Sequence, residues 1–335
     1  MFRFLIILMA ALFISSCANQ SVSRSNLTIS KVVSEDLYTM FPGTLRVTSQ
    51  YFLLQNPFNR SAFLQIYDRQ TGKELLSTGS IGNGPGEWNN PGLSNVINDK
   101  IAVYDANLKQ FLFTEVDTMI NISNPGLFQK KDSDFYQFVF LSESHYVVAS
   151  WNETHPFVMY YEGKSFPCGQ YPFKRSILNA IDRFQGNIQI HPEKELLVYA
   201  TFQNPYVALY RIGKSEMQLI WENQFKPHQY SIIENQLQWG PNQPDGVSDV
   251  ALTKNYIVCL VKDFKSEARG RDVAASPKAV YVFDYDGVLV HILDLPVHSI
   301  RLASDFETDI FYSVALEPDY SIVEYDLSTV RLIGK

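Results

Sequence analysis

The side chains able to do chemistry are scattered along this 335-residue chain rather than grouped. Six histidines (His145, His155, His191, His228, His291 and His298) stand singly, with no HxH or HExxH spacing to set two imidazoles on one metal. No GxSxG elbow or phosphate-binding loop is present, and no carboxylate pair is certified by spacing alone. Of the cysteines, Cys259 lies in the apolar run Tyr256–Val261 and reads as a buried thiol rather than half of a disulfide. Cys168 follows a proline, and no CxxC or Cys/His pair has metal spacing. Two chemistries remain. One is covalent, at Cys17. The other is recognition, by aromatic rings and guanidinium forks in loop-like stretches: Arg60, Trp88, Trp151, His155, Arg175, Trp239 and Arg271, with Phe58, Tyr171 and Gln203 beside them. Such groups suit a sugar, a peptide or an organic anion.

Cys17 ends a segment that reads as a signal rather than as part of the fold. Arg3 supplies a positive start, and Phe4 to Ile14 is an apolar run of eleven, too short to span about 30 Å of hydrocarbon. The stretch Ile14-Ser15-Ser16-Cys17 resembles a bacterial lipobox, whose Cys becomes the lipidated first residue of the mature chain. Acyl chains contribute roughly 0.8 kcal/mol per buried CH₂, so several on one Cys anchor firmly. Residues 1–17 are therefore expected to be a lipoprotein signal and 18–26 a polar tether.

The elements that must position the recognition groups follow from an internal repeat. A short alternating strand, a tight polar turn and a more apolar strand recur with phase markers Phe52, Ile101, Tyr146, Leu196, Tyr256 and Ile310. Third strands follow, such as Phe63–Asp68 and Val280–Asp284, and then fourth strands, such as Met217–Trp221 and Val330–Ile333. Four antiparallel strands per repeat of roughly 40–50 residues are the signature of a β-propeller. The expected fold is all-β, one six-bladed propeller over 27–335, with Leu27–Val33 joining the last blade to close the ring. Composition agrees: 46% hydrophobic, 14% aromatic and 19% charged residues make a large core and exclude disorder. A net charge of −7 offers no basic footprint for nucleic acid.

Topology then sorts the loops. In an up-and-down blade the first-to-second and third-to-fourth turns share one face, while second-to-third loops and blade crossings share the other. The long segments 77–92, 118–137, 166–187, 222–246 and 263–278 all belong to the second face, and so do the aromatic and cationic groups named above. One crossing, Gly79–Trp88, carries four glycines. It is expected to be structural, with Glu87 satisfying loop amides and Trp88 packing beneath, although direct ligand contact by Trp88 is the competing reading.

The run Ile66-Tyr-Asp-Arg-Gln-Thr-Gly-Lys-Glu-Leu75, with Gly82-Asn-Gly-Pro-Gly-Glu-Trp88 and Pro91, resembles the TolB-like six-bladed β-propeller lipoproteins of bacterial envelopes. The resemblance implies fold and location: a lipid anchor to a membrane, the outer membrane on its periplasmic side, since no acidic residue follows Cys17 directly. It carries over no catalytic residue. The function expected is non-enzymatic binding of a protein, peptide or carbohydrate, with no cofactor. The alternative is a metal-dependent hydrolase of lactonase type, using Asn95, Asp249 and Gln189 on first strands with Glu143 in a nearby turn.

Overall fold

The computed structural model describes residues 22–330 apart from 36, 85, 122–128, 131–134, 152–153, 174–176, 228 and 264–272. Cys17, Arg175 and Arg271 lie outside the described residues. Period-two alternation of apolar and polar residues, punctuated by Asn, Asp and Gly turns, produces short antiparallel strands. The amino-terminal arm forms β1 (Arg24–Asn26) and β2 (Lys31–Ser34). Blade one is β3 (Leu45–Val47), β4 (Tyr51–Gln55), β5 (Leu64–Asp68) and β6 (Glu74–Thr78). Blade two is β7 (Pro91–Ile97), β8 (Lys100–Asp105), β9 (Gln110–Glu115) and β10 (Gln129–Lys130), with α1 (Val116–Asn121) before its short last strand. Blade three is β11 (Phe135–Ser142), β12 (His145–Ser150), β13 (Phe157–Tyr161) and β14 (Lys164–Cys168). After α2 (Ala180–Arg183), blade four is β15 (Gly186–His191), β16 (Leu196–Thr201), β17 (Tyr206–Ile212) and β18 (Met217–Gln224). A separate hairpin, β19 (Tyr230–Ile233) and β20 (Gln236–Trp239), fills the crossing to blade five. Blade five is β21 (Val247–Leu252), β22 (Tyr256–Val261), β23 (Ala279–Asp284) and β24 (Leu289–Asp294), and blade six begins with β25 (Ser299–Ser304), β26 (Ile310–Ala315) and β27 (Ser321–Asp326).

The amino-terminal arm closes the ring. β2 takes the outer place on blade six, antiparallel to β27 with Lys31 opposite Glu324 and Val32 opposite Val323. Val330–Ile333, expected as that fourth strand, lies outside the described residues beyond Val330; the place on β27 is taken by β2, and the chain leaves β27 through a 3-10 turn, Leu327–Thr329, where Asp326 accepts from the Ser328 N–H. A ring built from both chain ends needs one blade shared between them, and the arm covers an edge that would otherwise stand open. β1 adds a fifth strand, parallel to β24 on blade five.

The aromatic and aliphatic residues of alternate strand positions pack between neighbouring blades. One cluster lies in each of the six interfaces, as Phe52 with Tyr312 between blades one and six, or Phe157 with Tyr199 and Tyr210 between blades three and four. Cys168 and Cys259 are buried free thiols, Cys259 as its apolar run indicated and Cys168 at the end of β14 rather than in a loop, and burial raises the pKa of both.

The motif of blade one is structural in detail. Asp68 accepts from the Thr71 N–H and hydroxyl, each at 2.7 Å, turning the chain at Gly72, where φ is +70°. A Cβ at Gly72 would stand 1.8 Å from the Val33 carbonyl oxygen, so this turn abuts the closing strand. In the next crossing Glu87 accepts from the Gly84 N–H at 2.7 Å, and a Cβ on Gly82 would overlap that carboxylate. Gly79, at φ +83°, lies against the Phe63 ring.

Candidate functional site

Each inner strand alternates core residues with one that faces the central channel, as in Leu45-Arg46-Val47 and Ile300-Arg301-Leu302. Six of these polar side chains, one per blade, bridge to the backbone of the next blade in a single rotational sense. Arg46 Nε donates to the Ser94 carbonyl at 2.5 Å. Asn95 donates from Nδ2 to the Phe140 carbonyl at 2.9 Å and accepts the Phe140 N–H at 2.8 Å. Gln137 accepts the Ile188 N–H at 2.9 Å, and Asn187 donates to the Ser248 carbonyl at 3.0 Å. Asp249 accepts the Leu302 N–H at 2.9 Å, and Arg301 Nε donates to the Gly43 carbonyl at 2.7 Å, which returns the chain of bridges to blade one. Buried polar groups need such partners, and here the pairing also fixes the register between blades.

Arg46 and Gln189 divide the channel into two cavities, since both line each of them. The cavity of about 300 Å³ opens on the loop-rich face, at the starts of the inner strands, and is lined by Arg301, Asp249, Thr44, Ser248, Pro57 and Phe202 among others. The cavity of about 570 Å³ opens on the short-turn face and carries an acidic rim of Asp99, Glu193, Asp305 and Glu307. Arg69 on that rim pairs with Asp305 at 2.5 Å and donates to the Tyr312 hydroxyl at 2.9 Å.

The waist is electrostatically uneven. Burial lowers the pKa of both Arg46 and Arg301, with Asp249 pulling the other way, and burial raises that of Asp249 against the two guanidiniums. Both Asp249 oxygens accept backbone N–H groups, from Val250 and Leu302 at 2.9 Å each. Burial pushes the Tyr104 hydroxyl beside Arg46 up to about 12.

Those of the expected recognition residues that are described, Arg60, Trp88, Trp151, His155 and Trp239, do not form one cluster. Trp88 packs beneath the Gly-rich crossing as expected, and the competing reading of it as a ligand-contacting surface group is corrected: it is 5% exposed and packed edge-on to Phe63 at 5.4 Å. A large ring beneath a glycine-rich crossing has nowhere else to lie. Trp151 is 47% exposed and leans on Tyr136 at 5.1 Å. His155 hydrogen-bonds the Gly169 carbonyl through Nδ1 at 3.1 Å. Arg60 is exposed in the β4–β5 loop, its carbonyl accepting the Ile81 N–H. Trp239 donates through Nε1 to Gln203 at 3.1 Å and stands edge-on to Phe184. That contact belongs to a cap over blade four. Asn179, in the crossing from blade three, pairs with both backbone groups of Leu237 in the hairpin (3.0 and 2.9 Å), and Phe173, Phe184, Tyr230 and Trp239 pack around them.

The residues suggested for metal chemistry do not converge. Asn95 lines the short-turn cavity and Asp249 the loop-rich one, Gln189 lies between them, and Glu143 lines neither. Among the described residues no three His, Cys, Asp or Glu side chains stand within metal-binding range of one another. The channel arginines went unmarked in the sequence reading. Their signal was present: a lone Arg between two core residues at the same place in blades one and six.

A model of TolB-like six-blade propellers matches residues 23–305. The chain belongs to this family. No curated protein matches this TolB-like propeller. Among solved structures it is similar to a DUF4221 family member from Bacteroides vulgatus, at 11% identity and a TM-score of 0.59, covering 90% of this chain and 96% of that one. It is also similar to a protein from Bacteroides fragilis named as exported, at 12% identity and a TM-score of 0.54, covering 91% and 96% of the two chains. At such identities these likenesses show the fold of the TolB-like propeller and nothing more.

Proposed function

We propose that this TolB-like propeller is a bacterial envelope lipoprotein, lipidated at Cys17 and held on the periplasmic side of the outer membrane, that binds a ligand without transforming it. The observation that carries the reading is the 300 Å³ mouth on the loop-rich face, whose inner-strand polar groups Gln137, Asn187, Asp249 and Arg301 are engaged in blade bridges rather than gathered around a reaction centre. An enzyme needs a nucleophile, acid or metal poised beside the substrate. A binding site needs a concave, partly apolar mouth with a few fixed polar groups, and Pro57, Phe202, Thr44 and Ser248 supply one. Exposed rings nearby in the topology, Phe58 and Trp151, extend the face towards a sugar or peptide. The lipobox and the export of the Bacteroides fragilis protein of similar fold support the location.

Two experiments test this. Cys17→Ser is expected to release the protein from the membrane fraction, and retention there overturns the anchor. Ser248→Trp is expected to fill the mouth. Thermal-shift screening against oligosaccharides, peptides and organic acids should give hits on the wild type that this variant loses. Hits that persist in Ser248→Trp overturn the chosen mouth, and a hit whose chemical structure is altered on incubation overturns the non-enzymatic reading.

A further inference from the structure

We infer that the waist of the channel is an anion site and that its ligand is a small organic carboxylate entering by the loop-rich mouth, an inference that deepens the binding reading of that mouth. Arg46 and Arg301 bring two positive charges to the cavity walls against the single carboxylate of Asp249. Neither guanidinium forms an ion pair with a described carboxylate. Arg301 donates only to neutral carbonyls, from Nε to Gly43 and from Nη1 to Ile300 at 2.8 Å, and its guanidinium lies 5.7 Å from the Phe41 ring, so that Nη2 has no hydrogen-bond acceptor among the described residues. Arg46 is likewise held by carbonyls, those of Ser94, Leu45 and Leu93, and by the Gln189 amide. A guanidinium in an enclosed, low-dielectric place is costly unless an opposite charge approaches it. Asp249, each of whose oxygens accepts a backbone N–H group, can offset only one of these two charges, which leaves the cluster net positive.

The chemistry of the surroundings selects the class of anion. The free edge of Arg301, with the Thr44 and Ser248 hydroxyls lining the same cavity, offers a few donors suited to two carboxylate oxygens. A volume of about 300 Å³ exceeds what a single-atom ion fills, and Pro57 with Phe202 at the mouth would cover a carbon skeleton.

Isothermal titration of the metal-free protein with acetate, succinate, chloride and inorganic phosphate tests the site. Saturable binding of a carboxylate is expected, weakened about tenfold to a hundredfold in Arg301→Gln, the loss for one charge-assisted contact. Because Arg301→Gln also removes a blade bridge, Thr44→Asp serves as the second variant. It places a carboxylate at the cavity wall without touching a bridge, and is expected to raise the melting temperature in anion-free buffer and abolish carboxylate binding. Binding of phosphate or chloride alone, carboxylate binding unchanged in Thr44→Asp, or no binding by any of the four anions each overturns the inference. A neutral ligand that binds at the mouth while all four anions fail would leave the binding reading standing and remove only this site. A carboxylate that binds as expected but is chemically altered would do the reverse.

Discussion

Arg46 and Gln189 meet across the channel from blades that face one another in the ring. With its oxygen turned to the guanidinium, the Gln189 amide accepts from Nη1 and Nη2 at 3.3 and 3.2 Å. The pair is a cross-bar that separates the loop-rich mouth from the acidic one. Gln189→Ala is expected to join the two cavities while costing about 1 kcal/mol or less, since the guanidinium keeps its carbonyl acceptors on Ser94, Leu45 and Leu93. Arg46→Ala also strands the carbonyls of Ser94 and Leu93, and should cost about 2–3 kcal/mol in urea unfolding. Equal losses for the two variants would show that the bar, rather than the bridge to blade two, carries the stability.

Asn95 makes the cleanest blade-to-blade bridge, occupying both backbone groups of Phe140 in a buried setting. Asn95→Ala leaves a buried N–H and a buried C=O without partners. A loss of about 2–4 kcal/mol is expected by denaturant titration. A loss below about 1 kcal/mol would mean that channel water replaces the amide.

Gly72 touches the closing strand. A methyl group there would strike the Val33 carbonyl and face a positive φ as well, so Gly72→Ala is expected to push β2 from blade six. Hydrogen exchange at the amides of Lys31–Ser34 reports this directly. Faster exchange there, with blades three and four unchanged, is the expected pattern, and uniform acceleration would refute a local unclasping.

His191 gives the fold an acid limb. Its ring is buried between Tyr285 and Phe306 with neither nitrogen hydrogen-bonded, and burial, with Lys194 nearby, lowers its pKa from 6.5 to about 4. The unfolded chain therefore binds this proton more readily. Its contribution to stability is full above about pH 6.5 and is lost as pH falls towards 4. His145 and His291, lowered mainly by burial, act in the same direction. In His191→Phe the fall in stability between those pH values should become shallower, as followed by melting temperature. An unchanged slope would assign the acid limb to other groups.

Trp88 and Trp151 divide the aromatic residues into scaffold and surface. Trp88→Ala opens a void against Phe63 and should cost about 3–5 kcal/mol. Trp151→Ala, half-exposed on Tyr136, should stay within about 0.5 kcal/mol. Chemical denaturation of the two variants side by side decides the matter.

These aromatics also mark how far the sequence could be read. Blade count, strand order and the closing arm were legible because period-two patterning and turn residues are local signals. Trp88 was legible as a packed ring because a glycine-rich crossing needs a side chain beneath it, whereas the lean of Trp151 on Tyr136 has no local signal. Glu87 was readable as a loop cap because a carboxylate among glycine N–H groups has few other uses. The waist was not legible, since convergence of Arg46, Asp249, Gln189 and Arg301 depends on closing the ring over more than 250 residues. The hairpin Tyr230–Trp239 escaped notice because its two short strands bury little surface of their own.

The parallel pairing of β1 gives the propeller a mechanical direction. Arg24–Asn26 lies alongside Leu289–Asp294, fastened by Arg24 to Asp294 and Asp263, before the chain crosses to blade six as Lys31–Ser34. A pull applied along β1 loads its backbone contacts and both ion pairs in shear, so that they must yield together. Only after they fail does the force reach the strand that holds the ring shut. Tension from that end is thus absorbed at blade five, and the circle stays closed beneath it.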